Sequence, residues 1–355
     1  MRLGIIGLPQ SGKTTLFNAL TRATQPTGAT GKIEIHTAVV DVPDARVDKL
    51  SSMFNPKKTI YAKVTYVDIA GLDGSAGKTG ISGALLNQLT QMDGFIHVVR
   101  VFADDNVPHV NQTVDPLRDI RNMDSELVLN DLIAVERKLE RLEEERKKGA
   151  GRDKAVIERE QELFRRFQSS LGQEVPLRDI EINAEEEKML SGFGFLSQKP
   201  MLIVLNLAEG QSAPEVSYTH RHSRVVGLQG KLEMDIAQLS PDEAELFLAE
   251  YGIEEPSLNR MIRLSYDLLG LHSFFTVGPD ECRAWTVRKG AAAPEAAGEI
   301  HTDLQKGFIR AEVVAYDELI ALGGLNEAKA KGRLRLEGKE YIVHDGEIVH
   351  IRFNI

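Results

Sequence analysis

At 355 residues the chain has room for roughly two to three domains and an ample core. Its 42% hydrophobic and 27% charged residues are those of an ordinary globular protein, and it has neither a run of about 18 apolar residues nor a signal peptide's apolar segment, so no membrane span and no secretion are expected. A net charge of −10 excludes a wholesale nucleic-acid coat while allowing a local basic patch; the lone Cys282 excludes an internal disulfide and suits a reducing compartment, so a cytoplasmic location is expected.

Leu3, Ile5 and Ile6 form a short apolar run of buried-strand character. It opens into GLPQSGKT at residues 7–14, which fits the phosphate-binding pattern G-x-x-x-x-G-K-[ST]. The following TLFNAL, residues 15–20, has helical spacing, so a helix N-terminus with its partial positive charge faces the phosphates. Gly7, Pro9, Gln10, Ser11, Gly12, Lys13, Thr14 and Thr15 are therefore the expected nucleotide-binding stretch. Lys13 neutralises the β and γ phosphates, and the Thr14 hydroxyl ligates Mg²⁺. The bland alternative is a glycine turn without a ligand, and the strand–loop–helix order argues against it.

Residues 25–32, QPTGATGK, read as a mobile surface loop of the kind that carries a switch Thr in P-loop proteins. The β-rich KVTYV at 63–67 ends in Asp68-Ile69-Ala70-Gly71, a D-x-x-G about 55 residues after Lys13. An Asp at a strand end holds Mg²⁺ through water, and the Gly71 N–H senses the γ phosphate. Apolar runs at 95–101 and 201–205 predict further buried strands of one sheet.

Between those runs the composition changes: 20 of the 31 residues at 136–166 are charged, 9 acidic and 11 basic. Leu132, Val135, Leu139 and Leu142 recur at spacings of three and four, as do Leu163, Phe167 and Leu171 at four. Glu143 with Lys147, Glu144 with Lys148 and Glu162 with Arg166 are i, i+4 pairs. With Gly149-Ala150-Gly151 as a turn, the stretch predicts a helical hairpin, either a docking arm or a solvated helix pair.

After the strand at 201–205 stand Asn206-Leu207-Ala208-Glu209, where guanine-specific switches carry Asn-Lys-x-Asp. Leu replaces Lys and Glu is longer than Asp by one methylene, so the strict guanine geometry is lost and adenine becomes acceptable. The last 80 or so residues are mostly strand-like, with a His344-Asp345-Gly346 turn. They include Lys329, Lys331, Arg333, Arg335 and Lys339, read either as solvated surface or as a nucleic-acid contact.

Over essentially its whole length the chain resembles the Obg-like ATPases, also called the YchF family. The resemblance rests on GLPQSGKT, on VDIAGL at 67–72, on NLAE at 206–209 and on EEPSLNRMIR at 254–263. It rests further on ECRAWTVRKGA at 281–291, IHTDLQKGFIRAEV at 300–313 and the terminal EGKEYIVHDGEIVHIRFN. It implies an α/β, Ras-like P-loop domain with an inserted helical hairpin and a C-terminal β-grasp (TGS) module. The boundaries that follow are 1–120 with 198–277 for the nucleotide domain, 121–197 for the hairpin and 278–355 for the TGS module.

The resemblance also implies slow hydrolysis of ATP, as well as or instead of GTP, with Mg²⁺, and association with ribosomes or structured RNA. Lys13, Thr14, Asp68 and Gly71 carry over as phosphate and metal residues, and Asn206, Leu207 and Glu209 as base-side residues. Leu72 stands where many GTPases have a water-positioning Gln, and His109 matches a loop histidine taken to act in hydrolysis. Three positions depart from the family pattern. Gln10 and Ser11 replace Asn and Val, which puts potassium activation in doubt, and Lys32 falls where the switch Thr belongs, with Thr30 as a substitute. A nucleotide-gated interaction module with negligible turnover is the alternative function, while a small-molecule kinase fits the switch motifs poorly. Nothing in the sequence specifies an oligomeric state.

Overall fold

A computed structural model describes residues 1–22, 35–69, 72, 81, 83–148, 152–190 and 192–354. The chain forms two compact units, Met1–Ala38 with Thr65–Met261, and Val39–Val64 with Ile262–Ile355. The strands in chain order are β1 (Arg2–Ile6), β2 (Ile35–Asp41), β3 (Lys58–Ile60), β4 (Lys63–Ile69), β5 (Gly94–Arg100) and β6 (Met201–Asn206). They continue with β7 (Ser223–Leu228), β8 (Leu271–Val277), β9 (Glu281–Arg288), β10 (Phe308–Ala315), β11 (Arg335–Glu337) and β12 (Glu347–Phe353).

The first sheet has the order β2-β4-β1-β5-β6-β7, with β1 parallel to both β4 and β5, β5 to β6 and β6 to β7. Every residue of β5 and β6 is buried, which is why these strands read as mainly apolar runs, broken only by His97, Arg100 and Asn206, rather than as alternation. The strand order reverses at β1, and in open parallel sheets the crevice at such a reversal, over the carboxyl ends of the strands, is where ligands bind. One apolar cluster beneath the sheet joins Ile6, Ile69, Phe95, Val99 and Leu205 to Met123 and Leu127.

Those last two residues belong to a single helix, Pro116–Lys148, so the boundary expected at 121 falls inside a continuous element whose first turns pack against the sheet. Farther along, Val128 and Val135 meet Leu163, Phe164, Phe167 and Leu171 of the helix Lys154–Leu171 in a second cluster with Phe195. The predicted three- and four-residue spacing thus marks the seam between these helices; the turn predicted at 149–151 lies outside the described residues. Glu143–Lys147 and Glu144–Lys148 pair as expected, at 4.0 and 3.1 Å. Arg166 instead reaches Glu186 at 3.1 Å and the Glu181 carbonyl. Buried Asp131 fastens the return to β6, accepting bonds from the Leu196 and Ser197 amides (2.9 and 2.7 Å) and the Ser197 hydroxyl (2.6 Å).

The second unit is built on the sheet β11-β10-β12-β8-β9-β3. β8 and β9 form an antiparallel hairpin that straddles residue 278, the expected module boundary, while β12 lies parallel to β8 and β3 parallel to β9. The helix Ala293–Ile300 buries Ala293, Ala296 and Ala297 against Phe274, Val287, Val313 and Val349, the small residues letting helix and sheet approach closely. Two cations of the basic tail are committed within the unit: Arg333 pairs with Glu318 at 3.3 Å and Arg335 with Glu347 at 2.6 Å.

Candidate nucleotide site

The loop after β1 takes a conformation that its glycines alone permit. Gly7 and Gly12 have φ of 146° and 98°, a Cβ on Gly7 would strike the Val98 carbonyl, and one on Gly12 would strike the Asn206 amide nitrogen. Gln10 is also left-handed, at φ 62°, with its residue exposed. Pro9 and Thr15 are half-buried, and Ser11 is buried with an unbonded hydroxyl oxygen. The helix Lys13–Thr21 follows with no acidic residue in its first turn, so its positive end is left uncompensated.

Lys13 Nζ donates to the carbonyls of Gly7 and Leu8 at 2.7 and 2.8 Å. Burial lowers its pKa to about 8 against the opposing pull of Asp68, so the lysine of the free loop is close to losing its proton at mildly alkaline pH. Beneath it on β5, His97 is fully buried and has no partner for Nε2; burial, then Lys13, hold it neutral with a pKa of about 3.

Asp68, next to last in β4, has its carboxylate buried, and the Thr14 hydroxyl donates to its Oδ2 at 3.3 Å. Oδ1 is buried without a hydrogen-bond partner. Burial raises this pKa, partly offset by Lys13 and by the Thr14 bond. An orphaned carboxylate oxygen beside a hydroxyl is a donor set that fits a hard divalent cation. Gly71, the third residue of this side of the site, lies outside the described residues, as do Thr30 and Lys32. Leu72 is buried in the sheet's apolar cluster.

On the opposite side, buried Asn206 braces the loop. Its Nδ2 donates to the Ser11 carbonyl at 2.9 Å, and its Oδ1 accepts from the Gly230 amide at 3.1 Å, tying the P-loop to the start of the helix Gly230–Ala237. Leu207 sinks into the apolar cluster, whereas Glu209 is exposed and free to meet a base edge. Gln211 secures the turn, accepting from the Ala208 amide at 2.9 Å and donating to the Val101 carbonyl at 3.0 Å.

His109 sits in a loop that is fastened rather than loose. Buried Arg100, the last residue of β5, donates to the carbonyls of Phe102 and Val107 at 2.9 and 2.7 Å and lies over the Phe102 ring. His109 is itself buried: Nδ1 accepts from the Asn111 amide at 3.1 Å, and Nε2 stands 3.0 Å from Asp119 Oδ2, close in distance but not aligned as a hydrogen bond. Asp119 Oδ1 accepts from Arg118 Nε at 2.9 Å and Asn111 Nδ2 at 3.3 Å, in the first turn of a helix that Asp115 caps through the Arg118 amide. Sequence reasoning passed over Arg100 and His97, although a charged residue closing an apolar run and a histidine within it are both visible in GFIHVVR.

A glycine loop between β1 and its helix, a lysine at the helix start, and a Thr–Asp pair at the end of the neighbouring strand define a P-loop nucleoside-triphosphatase of Ras-like topology. The family model described as "50S ribosome-binding GTPase" matches residues 2–138, and YchF-GTPase_C, described as a protein of unknown function, matches 271–354. The "Ribosome-binding ATPase YchF" of Bacillus subtilis is 40% identical over 99% of each chain, and that of Haemophilus ducreyi is 41% identical over 100% of this chain and 99% of its own. The Schizosaccharomyces pombe YchF GTPase structure superposes with a TM-score of 0.84 at 30% identity, covering 99% of this chain and 97% of that one. The chain belongs to the YchF family.

Proposed function

We propose that this protein is a slow ATP-hydrolysing switch that associates with the ribosome, acting in the cytoplasm. The observation that carries the nucleotide reading is the Thr14–Asp68 pair with its orphaned buried oxygen, beside Lys13. Thr14 and, through water, Asp68 would hold Mg²⁺, which would supply charge neutralisation at the triphosphate. Lys13 leaves the Gly7 and Leu8 carbonyls for the phosphates, and the backbone N–H groups of residues 10–15 cradle them. Glu209 in place of Asp favours adenine over guanine, since the paired acceptor of Asn-Lys-x-Asp is altered, while Leu207, buried in the apolar cluster, acts only by leaving out the Lys. Buried Leu72 has no group to orient water, and His109 takes that task once it leaves Asp119.

Ribosome association is carried over from the relatives' names and from the 50S ribosome-binding model. Structured RNA is the expected contact for Lys329 and Lys331, the cations of the tail on the helix Leu325–Ala330 and at its end. A nucleotide-gated interaction module with negligible turnover is favoured by one observation, the burial of His109 with Nδ1 bonded to the Asn111 amide and Nε2 facing Asp119. Multiple-turnover phosphate release with and without purified ribosomes separates the two: turnover well above the uncatalysed rate supports the switch, and none in either condition supports the module. Competition between ATP and GTP at one Mg²⁺ concentration tests the base assignment, which a clear GTP preference would overturn.

A further inference from the structure

The helix Pro241–Glu250 presents an outward face that no described part of its unit covers. Leu246 is 71% exposed, and Tyr251, just past the helix end, is 58% exposed with its ring stacked on Phe247 at 4.4 Å and 20°. Single exposed apolar residues are ordinary on protein surfaces, but here a leucine and a stacked aromatic pair stand within six residues of one another. Asp242, Glu243 and Glu250 lie at i−4, i−3 and i+4 from Leu246, so their carboxylates frame it on the same face.

The surrounding charge is one-sided. Residues 232–259 contain eight acidic residues and no Lys, Arg or His. Glu233 is used internally, accepting from the Ser257 amide at 2.7 Å; Asp235 pairs with Lys231 at 2.7 Å; and Glu243 closes the Ser240 capping box. Asp242, Glu245, Glu250 and Glu254 are exposed and make no ion pair with a described residue. The same stretch carries no phosphate-attracting group, so RNA is repelled from it, and a second copy offering the same face is repelled as well.

We infer that this helix is a docking surface for a Lys/Arg-rich protein segment that also carries apolar side chains, with Leu246 and the Phe247–Tyr251 pair as the apolar contact and the carboxylates as its selective rim. The geometry is that of an amphipathic interface: an apolar centre supplies contact area, and the ring of like charge sets which partners approach. The proposal does not depend on how the nucleotide site is read.

The test uses the full chain and three fluorescent probes of about 20 units each: a helical peptide with Lys and Arg on one side and Leu and Phe on the other, oligolysine, and single-stranded RNA. The amphipathic peptide should bind at least tenfold more tightly than oligolysine, and this advantage should vanish in Leu246→Ser/Tyr251→Ser. Glu245→Lys/Glu250→Lys should weaken both cationic probes at least tenfold, while Glu144→Lys on the distant hairpin helix leaves them unchanged. Thermal midpoints equal to the parent's show that the variants are folded; should one fall, Leu246→Ser alone serves in its place. Peptide affinity indifferent to both double variants, an equal effect from Glu144→Lys, or RNA bound more tightly than the peptide would each overturn the assignment.

Discussion

If His109 orients the attacking water, the contact with Asp119 is a brake on it, and Asp119→Asn should release the brake. The substitution keeps the size of the side chain and an oxygen for Arg118 Nε and Asn111 Nδ2 (2.9 and 3.3 Å), but removes the charge that faces His109 Nε2 at 3.0 Å. A buried hydrogen bond to a charged group contributes about 1.5–3 kcal/mol, and the Asp119 contact, close but not aligned as such a bond, is set below that range, at about 1.4 kcal/mol. That corresponds to a tenfold change in the closed-to-open ratio, so single-turnover hydrolysis should rise by about tenfold with nucleotide affinity nearly unchanged. His109→Ala should lower the same rate at least tenfold, and adding Asp119→Asn to it should bring no recovery. A rise in rate that persists without His109, or no rise in the single variant, would refute both the brake and the role of the histidine.

Lys13 makes triphosphate affinity pH-dependent. Its pKa of about 8 in the free loop rises beside phosphate, so the binding contribution is fully present below about pH 8 and is lost as pH climbs through the higher pKa of the complex. A fluorescent-nucleotide titration over that range should show affinity falling only on the alkaline side, and Lys13→Ala should lose roughly 2–5 kcal/mol of binding and the pH dependence together. Asp68→Asn should raise the Mg²⁺ concentration needed for nucleotide binding, measured by Mg²⁺ titration at fixed ATP; an unchanged requirement would remove it from the metal site. Asp131→Ala leaves the Leu196 and Ser197 amides and the Ser197 hydroxyl without their acceptor, and should lower stability by about 3 kcal/mol in denaturant unfolding without changing nucleotide affinity at temperatures where it is folded.

The glycine loop after β1 and the strand end at Asp68 were legible because their constraints are local. A left-handed glycine, a lysine at a helix start and an Asp at a strand end each leave a fixed-spacing mark, and β5 and β6 announce themselves as apolar runs because both faces are covered. What stayed hidden depends on residues brought together from afar. Asn206 reads as a base contact from its motif, yet its side chain bonds Ser11, 195 positions away, and Gly230, links that no spacing encodes. The loop of His109 carries Asp104, Asp105, Asn106 and Pro108, residues common in exposed turns, but Arg100 and Asp119 pin it, and both are charged residues that composition assigns to the surface. The boundary expected at 121 falls within one helix, which changes partners along its length, from sheet to hairpin, without any break in its own pattern.

The segment Val39–Val64 belongs to the second unit although it is made early: β3 pairs with β9, and the helix Ala45–Phe54 packs on β8 and β9. During synthesis it emerges ahead of the intervening Thr65–Met261, about 200 residues, before any strand it pairs with exists. At about 5–20 residues per second that is a wait of roughly 10–40 s for a three-residue strand with no partner. A fragment starting at residue 262 would meet the converse problem, with β9 left as a bare edge where β3 should lie, so the C-terminal unit is a product of the finished chain and not a module that can be cut from it.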